Sequence, residues 1–401
     1  MNLSTKILIA LGLGIIAGLQ LGAEGAAFAK AWIGPLGTIF MNLIKMVIVP
    51  LVFSSLVMGV CGLGDVRKLG RVGLKTVALY LITTAFAIAL GIAFGVLVEP
   101  GAGLNMSTEG LKVTAKAAPP IMKVIIDIFP TNPLGAMVKA NMLQIILFAL
   151  FVGVGIVAVG EKAEALKNTI DGLAEVCYKM VAIIMSFAPF GVFGLITPVV
   201  AANGPAVLLP LLKVIICVYV GCLLHAIIVY GALVATLGKM SPMEFFRGVA
   251  PASLLAFSSC SSSGTLPLTM DCMRKLGVNP NISSFVLPLG ATINMDGTAL
   301  YQGVCALFVA QIYGVELTGA QYMTIMLTGT LASIGTAGVP GAGFIMLTMI
   351  LTALGLPLEG SALIAGIDRI LDMPRTSVNV TGDAAVTVVV DRSETKEEPL
   401  Y

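Results

Sequence analysis

Charged residues are scarce in this 401-residue chain: Asp, Glu, Lys and Arg together make up 11% of it, against about 25% in soluble domains. That scarcity argues against a cytosolic enzyme and against a disordered chain. The charges that are present nearly cancel, at +2 net, too weak a bias for nucleic-acid binding. Histidine is reduced to His225 alone. The seven cysteines (Cys61, Cys177, Cys217, Cys222, Cys260, Cys272 and Cys305) contain no Cys-x-x-Cys pair. A Cys/His metal centre and a secreted disulfide scaffold therefore have no basis, and the cysteines read as free thiols.

Apolar residues take the place of charge. They account for 58% of the chain, which also holds 45 Gly and 20 Pro, and the mean hydropathy is +1.01. A soluble core cannot hide so much apolar surface, so the surrounding solvent is lipid. At about 20 apolar residues per span, there is room for about eight spanning helices and some shorter pieces. Lys6, the run Ile7–Leu21 and Ala27-Phe28-Ala29 imitate a signal peptide. In a chain that stays apolar to its end, they read as a first span.

Apolar segments bounded by charge or by Gly/Pro clusters fall at 5–23, 32–62, 73–98, 121–160, 164–198, 205–237, 244–274, 281–313, 320–354 and 358–389. The densest basic cluster, Asp65-Val66-Arg67-Lys68 with Arg71 and Lys75, marks the second connection as cytoplasmic. Alternation then puts the N-terminus inside and the 99–120 loop outside. Segment 244–274 starts near Arg247 and ends at Arg274-Lys275, so both its ends are cytoplasmic and it must dip in and return. Segment 320–354 has the same property on the outer side, between Glu316 and Glu359. Their middles are Ser258-Ser259-Cys260-Ser261-Ser262-Ser263-Gly264-Thr265 and Gly335-Thr336-Ala337-Gly338-Val339-Pro340-Gly341-Ala342-Gly343, runs that break helices. Broken backbone at membrane depth survives only where protein or a wet cavity satisfies it; close helix packing through small residues is the other reading of the serine run.

The expected fold is thus an all-α polytopic membrane protein. It has about eight transmembrane helices plus two oppositely oriented re-entrant helical hairpins arranged as inverted repeats. Each hairpin is followed by a segment with a polar interruption: Asn294-Met295-Asp296-Gly297-Thr298, then Asp372-Met373-Pro374-Arg375-Thr376. Such repeats place substrate and coupling ions near the midplane, at broken helices.

Charges inside spans are costly and mark function. In the last segment Asp368, Asp372, Arg375, Thr376, Asn379 and Asp383 share an arc of about 100° on one helix face. Pro374 falls on the opposite side, and its missing N–H frees the carbonyl of Ile370. Arg375 offers a rigid fork for a carboxylate, and Asp372, one turn away, suits an ammonium group. That pair matches a small zwitterion with an extra carboxylate, such as aspartate or glutamate. Asn379, the two hairpin tips and Thr298 can serve what remains. A purely structural salt-bridge stripe is the competing reading.

Asp296, Asp368, Asp372 and Asp383 outnumber Arg375 by three charges. Either several carboxylates are protonated, or more than one cation enters with the substrate. Hard oxygens from Asp383, Asp296, Asn294, Asn379 and unwound carbonyls suit Na⁺. Tyr80, Thr83 and Thr84 add three neighbouring hydroxyls.

At these residues the chain resembles the dicarboxylate/amino acid:cation symporter family, the glutamate transporter family, over nearly its whole length. The resemblance is carried by Ser261-Ser262-Ser263-Gly264-Thr265-Leu266-Pro267, by Asn294 to Thr298, by Gly338 to Gly343 and by Asp372 through Asp383. It implies a homotrimer in the cell (inner) membrane, both termini cytoplasmic, in which a transport domain slides past a scaffold like an elevator. The scaffold would comprise 1–72 (helices 1 and 2) and 121–204 (helices 4 and 5). The transport domain would comprise 73–120 (helix 3 and outer loop), 205–240 (helix 6), 241–280 (hairpin 1), 281–316 (helix 7), 317–356 (hairpin 2, the gate) and 357–390 (helix 8), with 391–401 as a cytoplasmic tail.

The resemblance also implies that Arg375 binds the side-chain carboxylate, Asp372 the amine and Asn379 the α-carboxylate. Ser262, Thr298, Val339 and Gly343 would complete the pocket, with Ser261, Thr376 and Asp368 beside them. Sodium would sit at Asp383, Asn379, Asn294 and Gly290; at Tyr80, Thr83, Thr84, Asn294 and Asp296; and at the carbonyls of Thr292, Ser333, Ile334 and Thr336. Where relatives often carry a second arginine this chain has Cys260 and Met373, and Arg369 is the candidate replacement.

The function expected is Na⁺-coupled uptake of acidic amino acids, with proton-coupled glutamate or C4-dicarboxylate symport as the alternative. An intramembrane serine hydrolase lacks a Gly-x-Ser-x-Gly elbow and any base but distant His225. A channel has no use for a bidentate arginine. His225 itself reads as a packed or interfacial ring rather than a proton relay.

Overall fold

A computed structural model of the chain describes residues 3–61, 70–104, 106, 126, 129–139, 141–334, 336 and 341–395. Among the described residues the secondary structure is helical, without strands. The Asp65–Lys68 cluster and most of the 99–120 loop, on which the expected orientation rests, lie outside them, as do Val339 and the end of the tail.

The first two helices, α1 (Leu3–Phe28) and α2 (Gly34–Cys61), are joined by a π-helical turn, Ala29–Ile33. The gap expected at 24–31 is therefore helical: its alanines favour helix. The chain bends instead at Gly22, whose φ of 57° and ψ of −172° need a residue without Cβ. Next come α3 (Gly70–Val98), α4 (Pro133–Val138), α5 (Met142–Val159), α6 (Glu164–Ser186) and α7 (Ala188–Asn203). Segment 164–198 thus divides, with Pro189 in the first turn of α7, where a missing N–H costs nothing. The sixth apolar segment is α8 (Leu208–His225), a π turn Ala226–Tyr230, and α9 (Gly231–Thr236).

Two helical hairpins follow. In the first, α10 (Pro242–Ser259) turns into α11 (Ser262–Lys275) through Cys260, which takes the left-handed conformation at φ 55° and ψ 38°, and Ser261, whose hydroxyl caps α11 by accepting from the Gly264 N–H at 3.0 Å. In the second, α14 (Gly319–Ser333) opens with a Thr318/Gln321 capping box and α15 (Ala342–Leu354) starts after Gly341 at φ 84°. Between the hairpins lie α12 (Pro280–Ile293) and α13 (Asp296–Ile312). The last helix, α16 (Ser361–Thr395), runs 35 residues with Pro374 inside it.

Among the described residues three stretches are long and apolar enough to cross a membrane by length and composition: Ile9–Phe40, Arg71–Val98 and Gly204–Thr236. Packing sorts the helices into two groups. Helix α1 lies along α7, and α2 packs on α5, α6 and α7. The other group gathers around α13, which meets α3, α8, α14, α15 and α16. Helix α13 is apolar on nearly every side and is buried from Asp296 to Ala310, as a helix central to its bundle must be. The end of α16 is tied back to the start of α3: Arg71 Nη2 donates to Glu394 Oε2 at 2.6 Å and Lys75 Nζ to Oε1 at 2.9 Å. Partial burial pushes the Glu394 carboxyl up, but these two bonds outweigh it and hold it below its ordinary value.

Candidate functional site

Helical periodicity brings the polar stripe of α16 together, facing the bundle interior. Asp368, Asp372, Arg375, Thr376, Asn379 and Asp383 are all buried, and Arg375 is 0% exposed. Arg375 Nη1 donates to Asp368 Oδ1 at 3.0 Å, and Nη2 lies 2.9 Å from Asp372 Oδ1. The guanidinium also sits 3.9 Å over the ring of Tyr301 from α13, within range of a cation–π contact. The fork is nonetheless not saturated. Among the described residues Nε has no hydrogen-bond acceptor, and Nη2, close as it is to Asp372, is not aligned with one. A buried donor left so costs about 1–3 kcal/mol, more when charged.

The second hairpin covers this group. The Gly341 N–H donates to Asp372 Oδ2 at 3.3 Å, and a Cβ on Gly343 would meet Arg375 Cζ and Nη1 at 3.4 Å and Thr298 Cγ2 at 3.1 Å. Thr376 donates to Asp372 Oδ1 at 3.3 Å. From the first hairpin, Ser262 is buried at its tip. Ser261 is spent on capping α11.

A junction links this region to a second one. Asn379 Nδ2 donates to Thr298 Oγ1 at 3.3 Å and reaches Met295 Sδ at 3.2 Å; its Oδ1 accepts from the Gly297 N–H at 2.8 Å. Gly297 presses on the Arg375 backbone, with a Cβ there falling 2.7 Å from Arg375 Cα, so no side chain fits. Asn294 Nδ2 donates to the Asn379 carbonyl at 3.2 Å and to Asp383 Oδ1 at 2.9 Å. Asn294 Oδ1 is buried without a partner among the described residues. The Asn294-Met295 break between α12 and α13, with Met295 at φ −118° and ψ 47°, is where these contacts replace helix bonds.

Beyond the junction lie Asp383 and Asp296. Gly290 packs against Asp383 Oδ1 and the Tyr80 hydroxyl. Asp296 Oδ1 accepts from Thr84 at 2.6 Å, and Oδ2 accepts from Tyr230 at 2.7 Å and faces His225 Nε2 at 3.2 Å. His225 is thus fully buried, stacked edge-on against Tyr230 at 4.9 Å, rather than interfacial. Tyr80 donates to the Val286 carbonyl at 3.1 Å, and the Thr83 hydroxyl turns back to the Tyr80 carbonyl at 3.1 Å. Ser333, Ile334 and Thr336 come together at the end of α14 and are buried. The hydroxyls of Ser333 and Thr336 bond within their own turn, and that of Thr292 bonds the Leu289 carbonyl at 2.9 Å.

Four residues not picked from sequence prove central: Tyr301 under the guanidinium, Tyr230 and His225 on Asp296, and Tyr219. The carbonyl of Ile370, freed by Pro374, accepts a hydrogen bond from the Tyr219 hydroxyl at 3.0 Å. Arg369 does not join the stripe; its guanidinium donates to the Ser258 carbonyl of the first hairpin at 3.2 Å.

The family pattern of the sodium:dicarboxylate symporter family matches residues 3–393. Among curated proteins, the chain is 39% identical over 401 residues to a proton/sodium-glutamate symport protein of Bacillus caldotenax, covering 98% of this chain and 94% of that protein. It is 38% identical over 414 residues to the proton/glutamate-aspartate symporter of Escherichia coli (strain K12), covering 98% and 93%. The C4-dicarboxylate transport protein of Bacillus subtilis (strain 168) is 33% identical over 400 residues, covering 98% and 94%. The chain belongs to the sodium:dicarboxylate symporter family, and is an integral membrane transporter rather than an enzyme.

Proposed function

We propose that this chain is a secondary active symporter that takes up acidic amino acids, aspartate or glutamate, together with Na⁺. One observation carries the reading: a fully buried guanidinium, ion-paired with two carboxylates, whose Nε and Nη2 have no aligned acceptor among the described residues. A substrate carboxylate supplies the two missing acceptors in one bidentate contact. Asp372 then takes the ammonium group and Asn379 the α-carboxylate. Thr298, Thr376, Ser262, Val339, Gly343 and Asp368 complete the pocket, with Ser261 beside them through its backbone, its hydroxyl being held by the α11 cap.

More than one Na⁺ accompanies the substrate. The unpartnered Asn294 Oδ1 supports an ion between Asp383, Asn379, Asn294 and Gly290. A second ion uses Asp296, Asn294, Tyr80, Thr83 and Thr84, and a third the carbonyls of Thr292, Ser333, Ile334 and Thr336. Oxygen donors of this kind suit a hard cation.

The chain crosses the inner membrane about eight times, with two re-entrant hairpins entering from opposite faces and both termini in the cytoplasm. It assembles as a homotrimer. Helices α1, α2 and α5–α7 form the scaffold, and the bundle around α13 is the transport domain that moves as an elevator; the separation into two packing groups supports this division. The second hairpin, lying over Arg375 and Asp372, is the gate.

The names of two relatives favour a second reading, proton-coupled symport of glutamate or of C4-dicarboxylates. Uptake into proteoliposomes separates the readings. An inward Na⁺ gradient is expected to drive accumulation of labelled aspartate. Accumulation driven by a proton gradient without sodium overturns the sodium assignment, and a preference for succinate overturns the amine role of Asp372.

A further inference from the structure

We propose that Tyr219 is a positioning residue for the substrate-binding turn: its hydroxyl stands in for the backbone amide that Pro374 lacks. In an uninterrupted helix the carbonyl of Ile370 would accept from the amide four residues on. Residue 374 is proline, so that donor does not exist. The Tyr219 hydroxyl, from α8, occupies the vacant direction at 3.0 Å.

The location gives the bond its importance. Asp368 and Asp372 flank Ile370, and Arg375 follows Pro374 directly, so the unpaired carbonyl lies in the turn that sets the Asp368–Arg375–Asp372 geometry. A proline ring also pushes against the carbonyl of the preceding turn and bends the helix there. A donor from outside opposes that bend by fixing the carbonyl. Tyr219 is itself held: its ring meets Phe257 of α10 edge-on at 6.5 Å. The neighbouring residue is anchored as well, since Arg369 donates to the Ser258 carbonyl of the same helix at 3.2 Å. Residues 369 and 370 are thus tied to two different elements, Arg369 at the edge of the stripe and Ile370 on the far side of the helix.

The pairing makes a conditional prediction. With Pro374 present, Tyr219→Phe keeps the ring contact but leaves the carbonyl unpaired. The turn then loosens and substrate affinity falls, while translocation, a movement of the bundle as a whole, is spared. With Pro374→Ala, the amide returns, the helix closes its own bond, and the tyrosine hydroxyl is superfluous.

The test compares four full-length proteins in proteoliposomes: wild type, Tyr219→Phe, Pro374→Ala and the double variant. Because it rests on the substrate reading above, it has two readouts. In labelled aspartate uptake, Tyr219→Phe is expected to raise KM about threefold to tenfold, the worth of one hydrogen bond, with Vmax within about twofold. In the Pro374→Ala background the same change is expected to leave KM unaltered. Amide exchange of peptides spanning 366–378, read with no substrate present, is expected to quicken on Tyr219→Phe in the Pro374 background alone. An equal effect in both backgrounds, or no effect with Pro374 present, overturns the proposal. If wild type takes up no aspartate, the substrate reading fails and amide exchange alone decides the role of Tyr219.

Discussion

Replacing Arg375 with cysteine removes the only positive charge in the stripe, and its consequences divide into two separable energies. The first is recognition. A bidentate contact to a carboxylate comprises two charge-assisted hydrogen bonds of about 1.5–3 kcal/mol each. At about 1.4 kcal/mol per tenfold in affinity, their loss weakens aspartate binding by about 100-fold to 10,000-fold. The second is the resident pairing with Asp368 at 3.0 Å and Asp372 at 2.9 Å, whose disruption in a buried setting costs about 3–5 kcal/mol of stability. Arg375→Lys separates the two: an ammonium keeps a countercharge for the aspartates but cannot present a planar fork. The lysine variant should therefore melt near wild type in detergent yet lose about tenfold or more in aspartate affinity. The cysteine variant should lose both, while its affinity for a neutral amino acid is undiminished. Isothermal titration of the purified protein with aspartate and with a neutral amino acid, beside thermal melts, measures each quantity. Aspartate affinity within about threefold of wild type in the cysteine variant, below the worth of even one charged bond, would refute the role given to the guanidinium.

Asp372→Asn should weaken aspartate binding by at least about tenfold, the worth of one charged contact, yet leave succinate, which lacks an amine, little changed; equal losses for both acids in competition assays count against the amine assignment. Asp383→Asn should shift the sodium titration of aspartate uptake to higher concentration, and an unchanged titration removes Asp383 from the ion site. Gly297→Ala, which drives a methyl into the Arg375 backbone, should cost about 1–3 kcal/mol and depress uptake; a variant with wild-type melting and transport contradicts the close approach. Glu394→Gln tests the tie between α16 and α3. Because the carboxyl is held below its ordinary value, its stabilisation is present above the usual carboxylate range and fades as pH falls through the lowered value. The variant should therefore melt slightly lower at neutral pH, by no more than about 1 kcal/mol for so exposed a cluster, and match wild type in acid.

The stripe on α16 was legible because the spacing of Asp368, Asp372, Arg375, Asn379 and Asp383 follows the helical repeat, and charge in a span is expensive enough to signal purpose. The freed carbonyl of Ile370 was legible for a similar reason, since proline removes a known donor. Its partner was not, because Tyr219 is distant in sequence and phenols in spans are common. The pairing of His225 and Tyr230 on Asp296 was also hidden. Residues five apart on an α-helix point about 140° from each other; only the π turn at Ala226–Tyr230 brings them onto one carboxylate. The stop at Asn294-Met295 carries neither proline nor glycine, so its helix break was readable only as a polar interruption. Conversely, the gap anticipated at 24–31 rested on Glu24, Gly25 and Lys30, which do not by themselves end a helix rich in alanine.

Asn379 belongs to both halves of the interior at once. Its amide faces Thr298 and the Gly297 backbone beside Arg375, and its carbonyl takes Asn294, which holds Asp383. Any guest that reorients this one residue on either side alters what the other side offers. By thermodynamic reciprocity, a cation that strengthens the grip on an organic acid must itself be gripped more strongly, by the same factor, once the acid is in place. Stoichiometric co-movement would then need no relay across the molecule: a shared amide between adjoining compartments is enough to penalise a half-filled carrier.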